Sequence, residues 1–111
     1  MDIPLQISFH GIAHSDALSN AIRQKAAKLE RFYDHVVSCR VVLELAARHQ
    51  RNGKEYRAHI DLKVPGGEIA VTHAHDEDVR VALRDAFDAA RRQLEDYARV
   101  QRGDVKDHPA G

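Results

Sequence analysis

From Val79 to Tyr97 apolar side chains return every three or four residues: Val79, Leu83, Ala86, Ala90, Leu94 and Tyr97, with Ala82 and Phe87 broadening the stripe. That period is one face of an α-helix, and a helix with one apolar face must bury it against something else. The upstream segments supply the partner. Ile3, Leu5, Ile7 and Phe9 alternate with polar residues, and Pro4 sits near the start, where a missing amide costs least. Val37, Cys39, Val41, Leu43 and Leu45 alternate against Ser38, Arg40, Val42 and Glu44. Tyr56, Ala58, Ile60, Leu62 and Val64 alternate against Arg57, His59, Asp61 and Lys63, and Ile69, Val71 and His73 form the inner side of a weaker fourth run.

A second helix is predicted from a Ser15 cap, with Asp16 in the first turn, to Phe32 or Tyr33. Leu18, Ile22, Leu29 and Phe32 share its buried face, with Ala21 and Ala26 flanking. Asn20, Arg23, Gln24, Ala27, Lys28 and Arg31 lie outside, and Lys25 falls at the boundary. His10 to His14 turns the chain, and Ala46 to Glu55 reads as a polar connection carrying the hairpin signal Asn52-Gly53. Pro65-Gly66-Gly67 pairs a preset φ with a glycine free to take positive φ. The closing helix is expected to open near Asp76 as its cap and to fray around Arg102-Gly103. The order is β-α-β-β-β-α, an α+β domain over residues 1–103 with a disordered tail at 104–111. Covering one face of a four-stranded mixed sheet with both helices buries every stripe. The first helix makes a right-handed crossover between parallel strands, and the last three strands form an antiparallel meander.

At 111 residues the chain holds one core. Its 43% apolar and 31% charged residues are those of a soluble globular protein. No apolar run approaches the ~20 residues of a bilayer span, and the N-terminus lacks the pattern of a secretion signal. A lone cysteine, Cys39, cannot form an internal disulfide. The expectation is a cytoplasmic protein without a membrane partner. Seventeen basic and seventeen acidic residues cancel, so any affinity for an anionic polymer must come from distribution, helped by eight histidines.

Three basic constellations stand out. Arg23, Lys25, Lys28 and Arg31 are spaced to present point charges along one helix, which suits a phosphate backbone and equally suits a solvated face. Arg84, Arg91, Arg92 and Arg99 recur on the last helix, where Asp88, Glu95 and Asp96 at four-residue spacing can pair with them. The connection Arg48-His49-Gln50-Arg51-Asn52-Gly53-Lys54 has the donor density for irregular RNA, and reads equally as a polar hairpin tip. His73-x-His75, and His10 with His14, raise a metal site. Without a Cys pair, a His-Glu-x-x-His motif or an inward carboxylate cluster, they read as polar surface residues and no metal or cofactor is expected. Cys39 points inward as a small apolar filler, with His35 too far into a loop to activate it. Asp76-Glu77-Asp78 is explained by capping and dipole complementarity. Nothing forms a catalytic signature or a small-molecule substrate site.

With these elements in order, Lys28-Leu29-Glu30-Arg31-Phe32, Val64-Pro65-Gly66-Gly67-Glu68, Glu77-Asp78-Val79 and the run from Arg84 to Tyr97 resemble the ribosome hibernation factors, also known as sigma-54 modulation proteins. The resemblance covers roughly residues 3 to 103 and rests on order and spacing, not on one motif. It implies a β-α-β-β-β-α domain, similar in outline to double-stranded-RNA-binding domains. It also implies a non-enzymatic partner of the small ribosomal subunit and the whole ribosome, which occludes the decoding channel where mRNA and tRNA lie in idle or starved cells. By that resemblance Lys25, Lys28, Arg31 and Arg92 are expected on rRNA phosphates. Arg92 is included because it occupies the Arg of the Arg-Gln-Leu motif. Arg23, Arg91 and the connection residues Arg48, Arg51 and Lys54 follow as second-rank contacts. Arg92-Gln93-Leu94-Glu95-Asp96-Tyr97 and Gln101 to Lys106 are similar to a branch that continues into a cold-shock-like domain, so either a short form or part of a longer product is expected. Shorter relatives often carry Tyr at the position of Arg80 and Lys at those of Ala89 and Asp96, so this last helix is poorer in lysine. The alternative is a protein-interaction module, including a homodimer, docking through the exposed sheet face with Arg40, Val42, Arg57 and His59.

Overall fold

The computed structural model describes residues 3–49, 53–75 and 78–103, with backbone alone at 46–49, 53, 54 and 102. Its elements run β1 (Leu5–His10), α1 (Asp16–Phe32), β2 (Ser38–His49), β3 (Gly53–Val64), β4 (Gly67–His75) and α2 (Val79–Arg102). The sheet order is β1-β2-β3-β4, with β1 parallel to β2 and the other pairings antiparallel. This is the mixed sheet expected from the alternating runs. Register sorts the two faces. Ile7, Val41, Ile60 and Val71 form one row across all four strands, while Gln6, Arg40, Asp61 and Ala70 form an adjacent row pointing the other way.

Both helices pack on the apolar face. Ile22 of α1, Val41, Leu43, Ile60 and Leu62 of the sheet, and Leu83 and Leu94 of α2 are fully buried. Ser15 caps α1 by accepting from the Leu18 amide at 3.2 Å, with Asp16 in the first turn. The Pro65-Gly66 turn closes β3 onto β4, with Gly66 at φ +81°. Among the described residues no helix is long and apolar enough to cross a membrane.

Four expectations are corrected. The connection predicted over 46–55 is mostly strand: the β2–β3 ladder continues through Ala47–Glu55, Arg48–Lys54 and His49–Gly53, with a bulge between Leu45 and Ala47. Backbone amides and carbonyls pair whatever their side chains, so the hairpin outruns the apolar pattern that announced it. Val37 is 49% exposed and Val36 is buried instead. Regular alternation starts only at Ser38, and Val37 ties its amide to the Lys63 carbonyl just outside the strand. Phe32 is 43% exposed although it shares the helical period of Leu29, because α1 ends there and Tyr33 turns to extended backbone. The small Ser19 is buried on α1. Finally, α2 opens at Val79 with Asp78 as its cap, accepting from the Arg80 amide at 2.8 Å. β4 runs on to His75, leaving the extended Asp78 to supply the first unpaired donor with an acceptor. Asp76 and Glu77, the tip residues 50–52 and the 104–111 tail lie outside the described residues.

The outer sheet face is a lattice of cross-strand pairs. Arg40 donates to Asp61 at 2.7 Å and Arg57 to Glu44 at 3.1 Å. His59 lies between Thr72 at 2.6 Å and Asp61 at 3.0 Å. Burial by itself would raise the Asp61 pKa, but the hydrogen bond from Arg40 and the bond and charge of His59 outweigh it and hold it below 3.8. On the inner face Cys39 is 2% exposed, and burial, with a smaller push from the Asp61 charge, raises its pKa to about 12.

Three outcomes follow from this packing. Ser15→Ala removes the side-chain acceptor that caps the Leu18 amide at the start of α1 and should cost about 1 kcal/mol in urea unfolding. A change below 0.3 kcal/mol would contradict the cap. Asp61 binds its proton less readily folded than unfolded, so its stabilisation is full above its unfolded pKa and is lost as pH falls through the lower folded value. The urea midpoints of wild type and Asp61→Asn should therefore differ at pH 7 and converge at the acid end of a pH series. Cys39 should react with a disulfide reagent at pH 8 only after unfolding, and rapid labelling of the native protein would refute the burial.

Candidate nucleic-acid interface

The positions of the cations follow from topology. β1 and β2 are parallel and α1 returns between them, while β4 again runs with β2 and α2 returns against β4. The two helices therefore point the same way along one sheet face. Their C-terminal ends meet at the Pro65 turn, where the Tyr97 hydroxyl donates to the Pro65 carbonyl. The rings of Tyr33 and Tyr97 meet edge-on at 5.9 Å, and His35 stacks edge-on to Tyr33 at 5.3 Å. Partial burial, then the charge and hydrogen bond of the Tyr97 hydroxyl and the Asp34 charge, raise the Tyr33 pKa and keep its hydroxyl protonated at neutral pH.

This joint aligns the helices, and seven-residue spacing assigns side chains to the furrow between them. Seven residues return within about 20° on an α-helix. A cleft of about 670 Å³ at the joint is lined by Arg31 and Phe32 of α1 and by Ala98 and Gln101 of α2. Lys25 lies seven residues before Phe32, and Lys28 one turn before it. Arg91 and Arg84 lie seven and fourteen residues before Ala98. That spacing sets Lys25 and Lys28 on the flank of α1 that carries Phe32, and Arg84 and Arg91 on the flank of α2 that carries Ala98. With Tyr33 and Tyr97 side by side and 1.5 Å of rise per residue, Lys28 and Arg91 stand at nearly the same height. Lys25 is half-buried, as expected at a helix flank, while Lys28, Arg31, Arg84 and Arg91 are exposed.

The other candidates separate from this group. Arg23 lines a different cleft with Ile3, Leu5 and Glu30 on the β1 side of α1, and donates to Asn20 at 3.2 Å. Arg92 is exposed and projects about 100° around α2 from the Arg84–Arg91 row. Arg48 and Lys54 face one another across the β2–β3 ladder, but their side chains, like the whole of Arg51, lie outside the described residues. Sequence reasoning ranked Arg92 above Arg91 and left Arg84 out of the expected contacts. The heptad spacing Arg84–Arg91–Ala98 gains meaning only once the two helices are known to be parallel.

The expected four-residue ion pairs on α2 do not form. Asp96 takes Arg99 at 2.6 Å and Asp85 takes Arg84 at 3.3 Å. Exposed pairs are worth only tenths of a kcal/mol, so neighbouring partners of similar merit compete and an RNA phosphate can displace them. Among the described residues, Lys25, Lys28, Arg31, Arg91 and Arg92 have no ion-pair partner. The sheet face differs, since Arg40, Arg57 and His59 of the alternative docking surface are already engaged within the sheet. Among the described residues no group of three or more His, Cys, Asp or Glu is placed to hold a metal. His14 packs edge-on to Phe9, and His75 accepts from the Asp78 amide.

Comparison with known proteins agrees with this architecture. The chain is 30% identical over 90 residues to a ribosome hibernation promoting factor of Azotobacter vinelandii, covering 81% of this chain and 78% of that one. It is 29% identical over 93 residues to a ribosome hibernation promotion factor of Deinococcus radiodurans, covering 83% of this chain. It spans only 47% of that relative's length. The crystal structure of the Thermus thermophilus Protein Y N-terminal domain superposes with a TM-score of 0.70 at 28% identity, covering 87% of this chain and 99% of that one. A ribosomal subunit interface protein from Coxiella burnetii shares the fold at a TM-score of 0.72 and 17% identity, covering 86% of this chain and 98% of that one. A family model described as Sigma 54 modulation protein / S30EA ribosomal protein matches residues 5–102, and the chain belongs to that family.

Proposed function

We propose that this domain is a non-enzymatic, cytoplasmic ribosome-binding protein that holds idle ribosomes inactive by lying in the decoding channel of the small subunit. The reading is carried by Lys25, Lys28 and Arg91, which have no ion-pair partner among the described residues and which helical spacing sets on the helix flanks that line the joint, in a protein of zero formal net charge. Several cations held on two parallel helices can neutralise several phosphates of one RNA strand, and each such contact releases condensed counterions. Arg31 extends this set toward the joint, and Arg84 joins it once its weak pair with Asp85 yields. Arg92 and Arg23, on other faces, reach rRNA only if the channel wraps more than the furrow. Membership in a family whose named relatives are ribosome hibernation factors supports the choice of RNA and of the ribosome. Occlusion then needs no chemistry, only occupancy.

The test is co-sedimentation with purified small subunits. Engaging ~6 phosphates should cost about 10³-fold in affinity between about 50 and 200 mM salt. Lys28→Ala with Arg31→Ala, both at exposed positions, should weaken binding at least tenfold and flatten the salt slope by about two, with the unfolding midpoint little changed. Unaltered subunit binding by the folded double variant would remove this surface from the assignment.

A further inference from the structure

The cleft at the helix joint has a composition that phosphate binding does not explain. Phe32 is a large apolar side chain left 43% exposed at its wall, although it ends a helix whose preceding apolar residue, Leu29, is buried. Beside it stand polar groups with unspent capacity at the mouth: Asp34, His35 and Gln101, all exposed, with Asp34 only 3.5 Å from the His35 ring. The site sits where two helix C-termini converge, so its floor carries partial negative charge that disfavours a phosphate and favours amino hydrogens. The cations lie on its rim, with Arg31 lining the cleft and Lys28 one turn behind.

We propose that this cleft receives a single unstacked nucleobase of the bound RNA, laid against the Phe32 ring, with its phosphate on Arg31 and Lys28. Splayed single-stranded bases are recognised by stacking on aromatic faces and by hydrogen bonds to their edges, and Asp34 and Gln101 provide an acceptor and a mixed donor–acceptor for that edge. A volume of about 670 Å³ accommodates a nucleotide with room for water. The assignment rests on the reading of the furrow as an RNA surface and adds a second kind of contact to it. Lys28 and Arg31 hold any strand, whereas Phe32 requires a base.

The test uses two single-stranded RNA octamers, one of mixed sequence and one with the same backbone but abasic, measured against wild type, Phe32→Ala and Phe32→Tyr. Wild type should prefer the base-bearing octamer about tenfold, Phe32→Ala should lose that preference while binding the abasic strand as wild type does, and Phe32→Tyr should keep it. Equal binding of both octamers by wild type, or an undiminished preference in Phe32→Ala, overturns the proposal. So does a loss of self-association in Phe32→Ala with RNA binding unchanged, which would assign the cleft to a second copy of the chain. Failure of wild type to sediment with small subunits while the octamer preference persists would sink the ribosomal reading and leave the base site standing.

Discussion

One-sided burial governs the molecule. A four-stranded sheet offers two faces, and only the row set containing Ile7, Val41, Ile60 and Val71 is apolar. Both helices must therefore share that face, since any other placement exposes one stripe to water. From this comes everything that bears on binding. The helices lie side by side, their outer surfaces form one continuous wall, and charges on that wall have no sheet residue to pair with.

Net charge then ceases to be informative. The seventeen basic and seventeen acidic residues cancel in sum, while the outer sheet face mixes signs and satisfies them locally, through Arg40 with Asp61 and Arg57 with Glu44. Among the described residues, Lys25, Lys28, Arg31, Arg91 and Arg92 on the helical wall have no ion-pair partner. A neutral chain can thus present one self-neutralised surface and one cationic furrow. On α2, Asp85 and Asp96 pair weakly with Arg84 and Arg99, and exposed pairs of that kind can yield to a competing phosphate.

Much of the fold was legible in the residues. Alternation identified the sheet rows, helical spacing identified the stripes, Ser15 marked the start of α1, and Pro65-Gly66 marked the tight turn. Where the reading failed, local signals were competing with longer-range ones. The β2–β3 hairpin extends through polar residues because ladder hydrogen bonds do not depend on hydropathy. The α2 start moved to Val79 because β4 held on to His75.

The chain by itself determined which residues are cationic, which helix each sits on and which stripe each avoids, because those are properties of short-range periodicity. Only the tertiary structure decided that Arg31 and Phe32 share a cleft with Ala98 and Gln101, that Arg23 turns to the β1 edge, and that Phe32 stands open. Those relations depend on the direction and height of one helix against the other. The sheet topology sets the direction, and the Tyr33–Tyr97–Pro65 joint sets the height. The joint unites residues from three distant parts of the chain, so no local window could contain it.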